Sequence, residues 1–401
     1  MYLTKNITED LIWIGASDRR LALFENVYPL PDGVTYNSYL LLDEKTVLFD
    51  TVDLSVGEVF YENLAHALGG RALDYIVVHH MEPDHSATLS AVLTKYPEAV
   101  IVCNSKILNM IHQFFDVDCD ERVQTVSEGD VLSAGKHELT FMNAPMVHWP
   151  EVMFTYDRTD GTLFSADAFG TFGAFGGSIF ADELDFEREL LPEARRYYTN
   201  IVGKYGQQTT NVLKKAASLE IGRICPLHGP VWRKDLGLLL DKYRKWAAYE
   251  PEEKAAVVFY ASVYGHTQNA AEIAAFEMAE AGAGSVKVYD VSKTDPSYLL
   301  AEAFRVSHIV LASTTYNMEI FTKMEQFLTE LKEHNFQKRT VAVIENGSWA
   351  PAAGKKMRAA LEEMKDIKIL DETLTIKSAV KEEQREQLTA IAKAVAGDML
   401  A

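Results

Sequence analysis

Short apolar runs separated by polar turns set the pattern of the first 250 residues. Tyr39 to Leu42 and Val47 to Thr51 read as two strands of a hairpin around the polar Asp43-Glu44-Lys45. Tyr75-Ile76-Val77-Val78 is a third strand, followed by a helix expected from about Ser86 to Lys95. Ala99 to Cys103 reads as a buried strand leading into a helix that runs through Phe115. Glu138 to Phe141, Met153 to Tyr156 and Thr162 to Ser165 are further strands, the last two joined by the turn Asp157-Arg158-Thr159-Asp160-Gly161. Such hairpin and β–α alternation suits a sheet-on-sheet core flanked by helices.

The last third is patterned differently. A long amphipathic helix from Arg233 to Ala248 ends at the charged segment Tyr249-Glu250-Pro251-Glu252-Glu253-Lys254. Next comes Ala255-Ala256-Val257-Val258-Phe259-Tyr260, a short buried parallel strand, and then a helical pattern from Gln268 to Ala281. Ser307 to Ala312 and Thr340 to Ile344 are strands of the same kind. The glycines of Ala281-Gly282-Ala283-Gly284 predict a C-cap turn before a strand from Ser285 to Tyr289. Two modules result, residues 1–250 and 254–401.

A chain of 401 residues with 48% hydrophobic content can build both cores. No run of about eighteen apolar residues could span a bilayer, and Met1 to Asn6 is no signal peptide, so a soluble cytoplasmic protein is expected, without membrane contact. The formal charge of −19 argues against nucleic acid as a partner. Cys103, Cys119 and Cys225 are scattered, which excludes a rubredoxin-type iron site and a disulfide framework.

The chemistry concentrates at His80-Met81-Glu82-Pro83-Asp84-His85, just past the strand at 75–78. Four potential ligands in six residues are too many for one metal from so short a span, but two neighbouring metals can share them. The donors are imidazole nitrogen and hard oxygen with no thiolate, a set for iron, manganese or zinc. The plain alternative is a polar loop capping a helix from Asp84 or Ser86. Further along, His148, Asp167 and His228 each follow a strand-like run. Each alone would more often be ordinary. Together they would meet at one edge of a sheet, where a carboxylate such as Asp167 can bridge two cations.

A second constellation opens the C-terminal module. The strand at 255–260 runs into Ser262-Val263-Tyr264-Gly265-His266-Thr267 and a helix N-terminus, where backbone N–H groups and the helix dipole face one phosphate. Neither a Walker A ending nor the Rossmann glycine fingerprint is present. Two more strand exits, Ser313-Thr314-Thr315-Tyr316-Asn317 and Asn346-Gly347-Ser348-Trp349, converge on the same sheet edge. Tyr316 and Trp349 are candidate aromatic walls for a planar ring bound there. No module for taking hydride from a nicotinamide is seen, so electrons would come from another protein or a reduced carrier.

The ordered set His80-x-Glu82-x-Asp84-His85, His148, Asp167 and His228 resembles the metallo-β-lactamase superfamily, and within it the flavodiiron proteins. His148-Trp149-Pro150-Glu151 and Asp167 to Gly173 also match that family. Most of the superfamily has His at the position of Glu82 and binds zinc; Glu82 is the iron-favouring substitution. The resemblance implies one iron on His80, Glu82 and His148, another on Asp84, His85 and His228, and Asp167 bridging. It implies an α/β protein: a metallo-β-lactamase-like αββα sandwich followed by a flavodoxin-like doubly wound parallel sheet that binds FMN. The third flavin loop departs from the family's usual Tyr-Gly-Trp. Reduction of dioxygen to water or of nitric oxide to nitrous oxide is the implied activity, with rubredoxin or a reduced deazaflavin as external donor. A head-to-tail homodimer, alone or as a dimer of dimers, would bring flavin and iron together. Tyr197 and Tyr198 are the candidate proton donors by the same resemblance, against the plain reading of an amphipathic helix surface. A zinc-dependent hydrolase carrying a flavodoxin-like redox module is the alternative.

Overall fold

The computed structural model describes residues 1–401, which divide into two compact units. One comprises Met1–Tyr198 with Gln207–Tyr243, the other Thr199–Gly206 with Arg244–Ala401.

The first unit is built on two sheets. Seven strands form one, with Tyr39–Leu42, Thr46–Phe49, Tyr75–Val77 and Val100–Cys103 adjacent in that order. Five form the other, in the order Val131–Ser133, Glu138–Asn143, Met153–Asp157, Thr162–Phe164 and Arg223–Cys225. An aromatic seam joins them. Phe49 stacks on Phe164 with ring centroids 3.8 Å apart, and Tyr39 meets the same ring edge-on at 5.7 Å. His79 ties the seam at its polar end: its Nδ1 faces Asp50 at 2.5 Å and its Nε2 faces the Thr155 hydroxyl at 2.7 Å. Burying these large rings between the sheets helps to stabilise the unit.

The second unit is a parallel sheet in the order Lys287–Asp290, Glu253–Ala261, Val306–Tyr316, Arg339–Asn346, Ile367–Ile376. The first strand in sequence lies second in space, the flavodoxin-like order, and it puts a topological switch point at the carboxyl ends of 253–261 and 306–316. Side chains alternate faithfully between two cores. Val257, Phe259 and Ala261 enter one, while Ala256, Val258 and Tyr260 enter the other. A strand buried on both faces must be apolar at every position, so its sequence reads as a continuous run. No helix is long and apolar enough to cross a membrane.

Three elements differ from expectation. The helix at 86–95 is split into Pro83–Ser86 and Leu89–Lys95. Pro83 starts the first turn, where its missing N–H is harmless, and the Ser86 hydroxyl donates back to the Met81 and Glu82 carbonyls at 3.0 Å each. The strand at 307–312 does not end there: it runs to Tyr316 and pairs back with Glu319–Ile320 across Asn317 and Met318. Both turn residues have positive φ (52° and 64°), and the β-branched Thr314-Thr315 extends the strand. Finally, the helix from His266 continues through Ala279–Ala283, with Gly282 left-handed inside that last turn, so the next strand begins at Lys287.

Candidate metal and flavin sites

The two sheets of the first unit deliver the predicted ligands to one edge. Phe164 and Cys225 are opposite one another in parallel register, and Asp167 and His228 lie three residues beyond each. His148 sits in the connection between the antiparallel strands Glu138–Asn143 and Met153–Asp157. The other sheet contributes its strand Tyr75–Val77, whose exit carries His80 and Glu82 and then the one-turn helix bearing Asp84 and His85. The Met153 N–H donates to the His79 carbonyl (3.1 Å), fixing one sheet edge against the other.

All seven side chains converge, in two groups. The ligand atoms of His80, Glu82, His148 and Asp167 lie within 4.8 Å of one another, as do those of Asp84, His85 and His228. Asp167 divides its carboxylate between them. Its Oδ2 is 3.2 Å from both His80 Nε2 and His148 Nε2, and its Oδ1 is 3.1 Å from His85 Nε2 and 3.5 Å from His228 Nε2. Glu82 Oε2 is 3.0 Å from His148 Nε2, and Asp84 Oδ2 is 3.2 Å from His228 Nε2. His85 also points its Nε2 into this space, 3.0 Å from that of His228.

The donor set fits a pair of metal ions. Both oxygens of Asp84 and both of Asp167 are buried with no hydrogen-bond partner. Four such acceptors in one dry pocket would be costly unless a cation met them. The outer nitrogens of His80 and His228 are held as metal-binding imidazoles usually are, while that of His85 is buried without a partner. His80 Nδ1 faces Glu151 Oε1 at 2.7 Å, and His228 Nδ1 donates to the Thr35 carbonyl at 2.7 Å. Glu151, fully buried, closes the string His148-Trp149-Pro150-Glu151, where its residue type alone pointed to no role. Ala166, immediately before Asp167, has φ +46°, a conformation unfavourable for a residue with a Cβ, which aims the carboxylate inward.

Without metal the site holds protons instead. Burial opposes the charge of His85, but Asp84 and Asp167 overcome it and carry the imidazole up to about 9. His148 likewise rises against burial to about 9, through Asp167 and Glu82. Such raised groups stabilise the fold fully below their unfolded value of 6.5, and that contribution is lost as pH climbs through 9. Metal-stripped protein should therefore lose thermal stability between pH 6.5 and 9, while metal affinity rises over the same window because each ion displaces protons. Calorimetry of stripped and loaded protein across that range tests both trends; a flat Tm in stripped protein would refute the coupling.

The two candidate tyrosines separate. Tyr197 packs its ring 5.5 Å from that of His228, and its buried hydroxyl has no hydrogen-bond partner. Burial raises its pKa well above the ordinary value, with Asp167, Asp84 and Glu82 adding to the shift. Tyr198 instead meets Tyr243 edge-on at 4.8 Å.

In the second unit, the three loops meet at the switch point around a cavity of about 350 Å³. Val263, Tyr264, Thr314, Thr315, Tyr316, Asn317, Gly347, Ser348 and Trp349 line it, as do Met318 and Ala350, which the sequence did not single out. Tyr264 and Trp349 are 90% and 89% exposed, leaving faces for a planar ring to cover. Gly265 adopts φ +91°, and its N–H donates to the Ser262 hydroxyl at 3.0 Å, so the 262–267 loop curls ahead of the helix at His266. Thr267 is buried in the first turn of that helix. Three of the candidates have internal partners. The Ser313 hydroxyl donates to the Thr314 carbonyl, Thr315 Oγ1 accepts from the N–H groups of Ala352 and Ala353, and Asn346 bonds the backbone of Ser378.

A two-sheet unit with a paired ligand set, followed by a flavodoxin-like sheet, defines a class, and the comparisons with known proteins agree. Residues 34–229 match the family described as ODP family beta lactamase, and residues 258–390 match flavodoxin. The chain is 32% identical over 366 residues to the anaerobic nitric oxide reductase flavorubredoxin of Vibrio vulnificus, covering 90% of this chain and 73% of that protein. Among solved structures it superposes on rubredoxin oxygen:oxidoreductase of Desulfovibrio gigas with a TM-score of 0.92, at 27% identity over 99% of both chains. A flavoprotein of Thermotoga maritima gives 0.89 at 26% identity, over 99% of this chain and 98% of that one. The chain belongs to the flavodiiron protein family.

Proposed function

We propose that this protein reduces dioxygen to water, nitric oxide to nitrous oxide, or both, at a non-haem diiron site fed through FMN. The observation that carries this is the divided carboxylate of Asp167, one oxygen toward each of two ligand groups. His80, Glu82 and His148 would hold one ion, Asp84, His85 and His228 the other. When bound, two ferrous ions and a reduced flavin would supply the four electrons that dioxygen needs, or the two that join a pair of nitric oxide molecules.

The chain's own groups do the rest. The sheet edge keeps the ligand set dry, and Glu151 and the Thr35 carbonyl hold His80 and His228 in one orientation. Tyr197 is the better proton donor of the two tyrosines: its O–H stays protonated beside three carboxylates and has no competing partner. Tyr316 and Trp349, which both line the cavity, would wall the flavin, with the exposed Tyr264 beside them. Electrons would arrive from an external donor such as rubredoxin or a reduced deazaflavin. A head-to-tail homodimer, single or paired, would set the flavin of one chain against the iron pair of the other, and the cytoplasm is the expected compartment.

The named relatives point to both substrates, one being a nitric oxide reductase and one an oxygen oxidoreductase. The decisive experiment uses anaerobic, iron- and FMN-loaded protein, reduced photochemically so that no natural partner is required. Consumption of dioxygen and of nitric oxide is followed separately at matched concentrations. Fast dioxygen use without peroxide release makes it an oxygen-scavenging reductase. Preference for nitric oxide with inactivation by dioxygen makes it a nitrosative-stress enzyme. Turnover of neither would overturn the assignment and leave the zinc hydrolase, which Glu82 and the flavodoxin-like unit argue against.

A further inference from the structure

Cys119 is the one cysteine outside the strands. Cys103 and Cys225 end Val100–Cys103 and Arg223–Cys225, whereas Cys119 stands in a connection, between the helix Ser105–Phe114 and the single turn Asp120–Arg122. It is nonetheless buried, only 1% exposed. The elements on either side of it are firmly held. The helix buries Ile107 and Ile111, which turns His112 of its last turn to solvent. Across the loop, the Arg122 N–H donates to the Cys119 carbonyl at 2.8 Å, and the Arg122 guanidinium donates to the Pro97 carbonyl at 2.7 Å. Between these two anchors, one ligand atom each of His112, Cys119 and Asp120 lies within 4.8 Å of the other two. His112 Nε2 and Asp120 Oδ1 are 3.0 Å apart, both side chains open to solvent, with the buried thiol beside them.

We propose that His112, Cys119 and Asp120 form a binding site for a borderline divalent cation, zinc above all, made of residues that the paired centre does not use. Imidazole, thiolate and carboxylate are the three ligand types that zinc takes. Its bonds of about 2.0–2.3 Å put neighbouring ligands of one tetrahedral ion at separations of this order. The trio leaves the fourth position to water, on the side where His112 and Asp120 meet solvent. As the ion binds, the thiol gives up its proton to solvent. Sulfur separates this site from the other. The paired set offers only nitrogen and oxygen, which suits iron, whereas a thiolate favours zinc over harder metals. The exposed Asp116, Asp118 and Glu121 make the approach acidic and draw cations to it. A bound ion would clip the end of the helix to Val123–Thr125, the edge strand of the seven-stranded sheet.

The test uses iron- and FMN-loaded protein with cobalt(II) as the probe. Cobalt stands in for zinc, and a cobalt–thiolate bond adds a near-ultraviolet charge-transfer band that nitrogen and oxygen ligands do not give. Difference spectra are titrated for wild type, Cys119→Ser and His112→Ala, with Tm measured on each. Wild type should develop the band, and excess zinc should remove it. Cys119→Ser should lack it, and His112→Ala should need at least about tenfold more cobalt to reach it. The proposal is overturned by no band in wild type, by a band that excess zinc leaves in place, by one that persists in folded Cys119→Ser, or by unchanged affinity in His112→Ala. Should Cys119→Ser not fold, His112→Ala decides alone, because that side chain is exposed at the helix end and its loss leaves the core untouched. The readout is sulfur ligation, so failure of the paired centre to hold iron would leave this result standing.

Discussion

Asp167→Ala should leave a folded protein that binds at most one iron per chain and turns over neither gas, with activity down by at least about a hundredfold. Asp167 is the one side chain whose two oxygens face different ligand groups, so its loss severs the pair while leaving each group of three intact. Asp167→Asn keeps the volume and one oxygen, and should retain more metal than alanine does. Metal analysis by mass spectrometry together with gas consumption decides the matter. Two irons and wild-type turnover in Asp167→Ala would show that the carboxylate does not bridge. The same variant predicts a change in the stripped protein. His80, His85 and His148 all owe part of their raised proton affinity to Asp167. Removing it should flatten the loss of stability between pH 6.5 and 9, a readout independent of turnover.

The fold and the convergence of the candidate ligands were legible in the sequence for the same reason: both rest on positions whose chemistry admits few substitutes. A strand buried on two faces has to be apolar throughout, which is why 255–260 stands out. Ligands at strand exits follow short apolar runs, and the parallel register of Phe164 with Cys225 turns that pattern into proximity of Asp167 and His228. Polar groups that serve the backbone were harder to read. Thr315 and Asn346 stand in the candidate flavin loops, yet their side chains tie down the start of a helix and the backbone of Ser378. Nothing in the residue types distinguishes a hydroxyl or amide aimed at a ligand from one aimed at a neighbouring loop.

Tyr197→Phe should lower turnover by roughly a hundredfold while iron, FMN and the fold remain as in the wild type. The variant deletes one oxygen that has no hydrogen-bond partner, so little stability depends on it. Its place is tightly defined. A Cβ added at Gly170 would come within 2.7 Å of the Tyr197 ring and 3.0 Å of the Asp167 carbonyl, so the glycine is what lets the phenol stand beside Asp167. Charge accumulating on a reduced substrate there would meet a proton held in a buried, high-pKa hydroxyl. Tyr198→Phe is the control, because that ring packs against Tyr243, and it should leave turnover near the wild-type value. Pre-steady-state reaction with dioxygen, in light and heavy water, separates proton delivery from electron supply. A solvent isotope effect present in wild type and changed in Tyr197→Phe alone supports the assignment. Equal rates in wild type and Tyr197→Phe would assign the proton to water entering the site and leave Tyr197 as packing for His228.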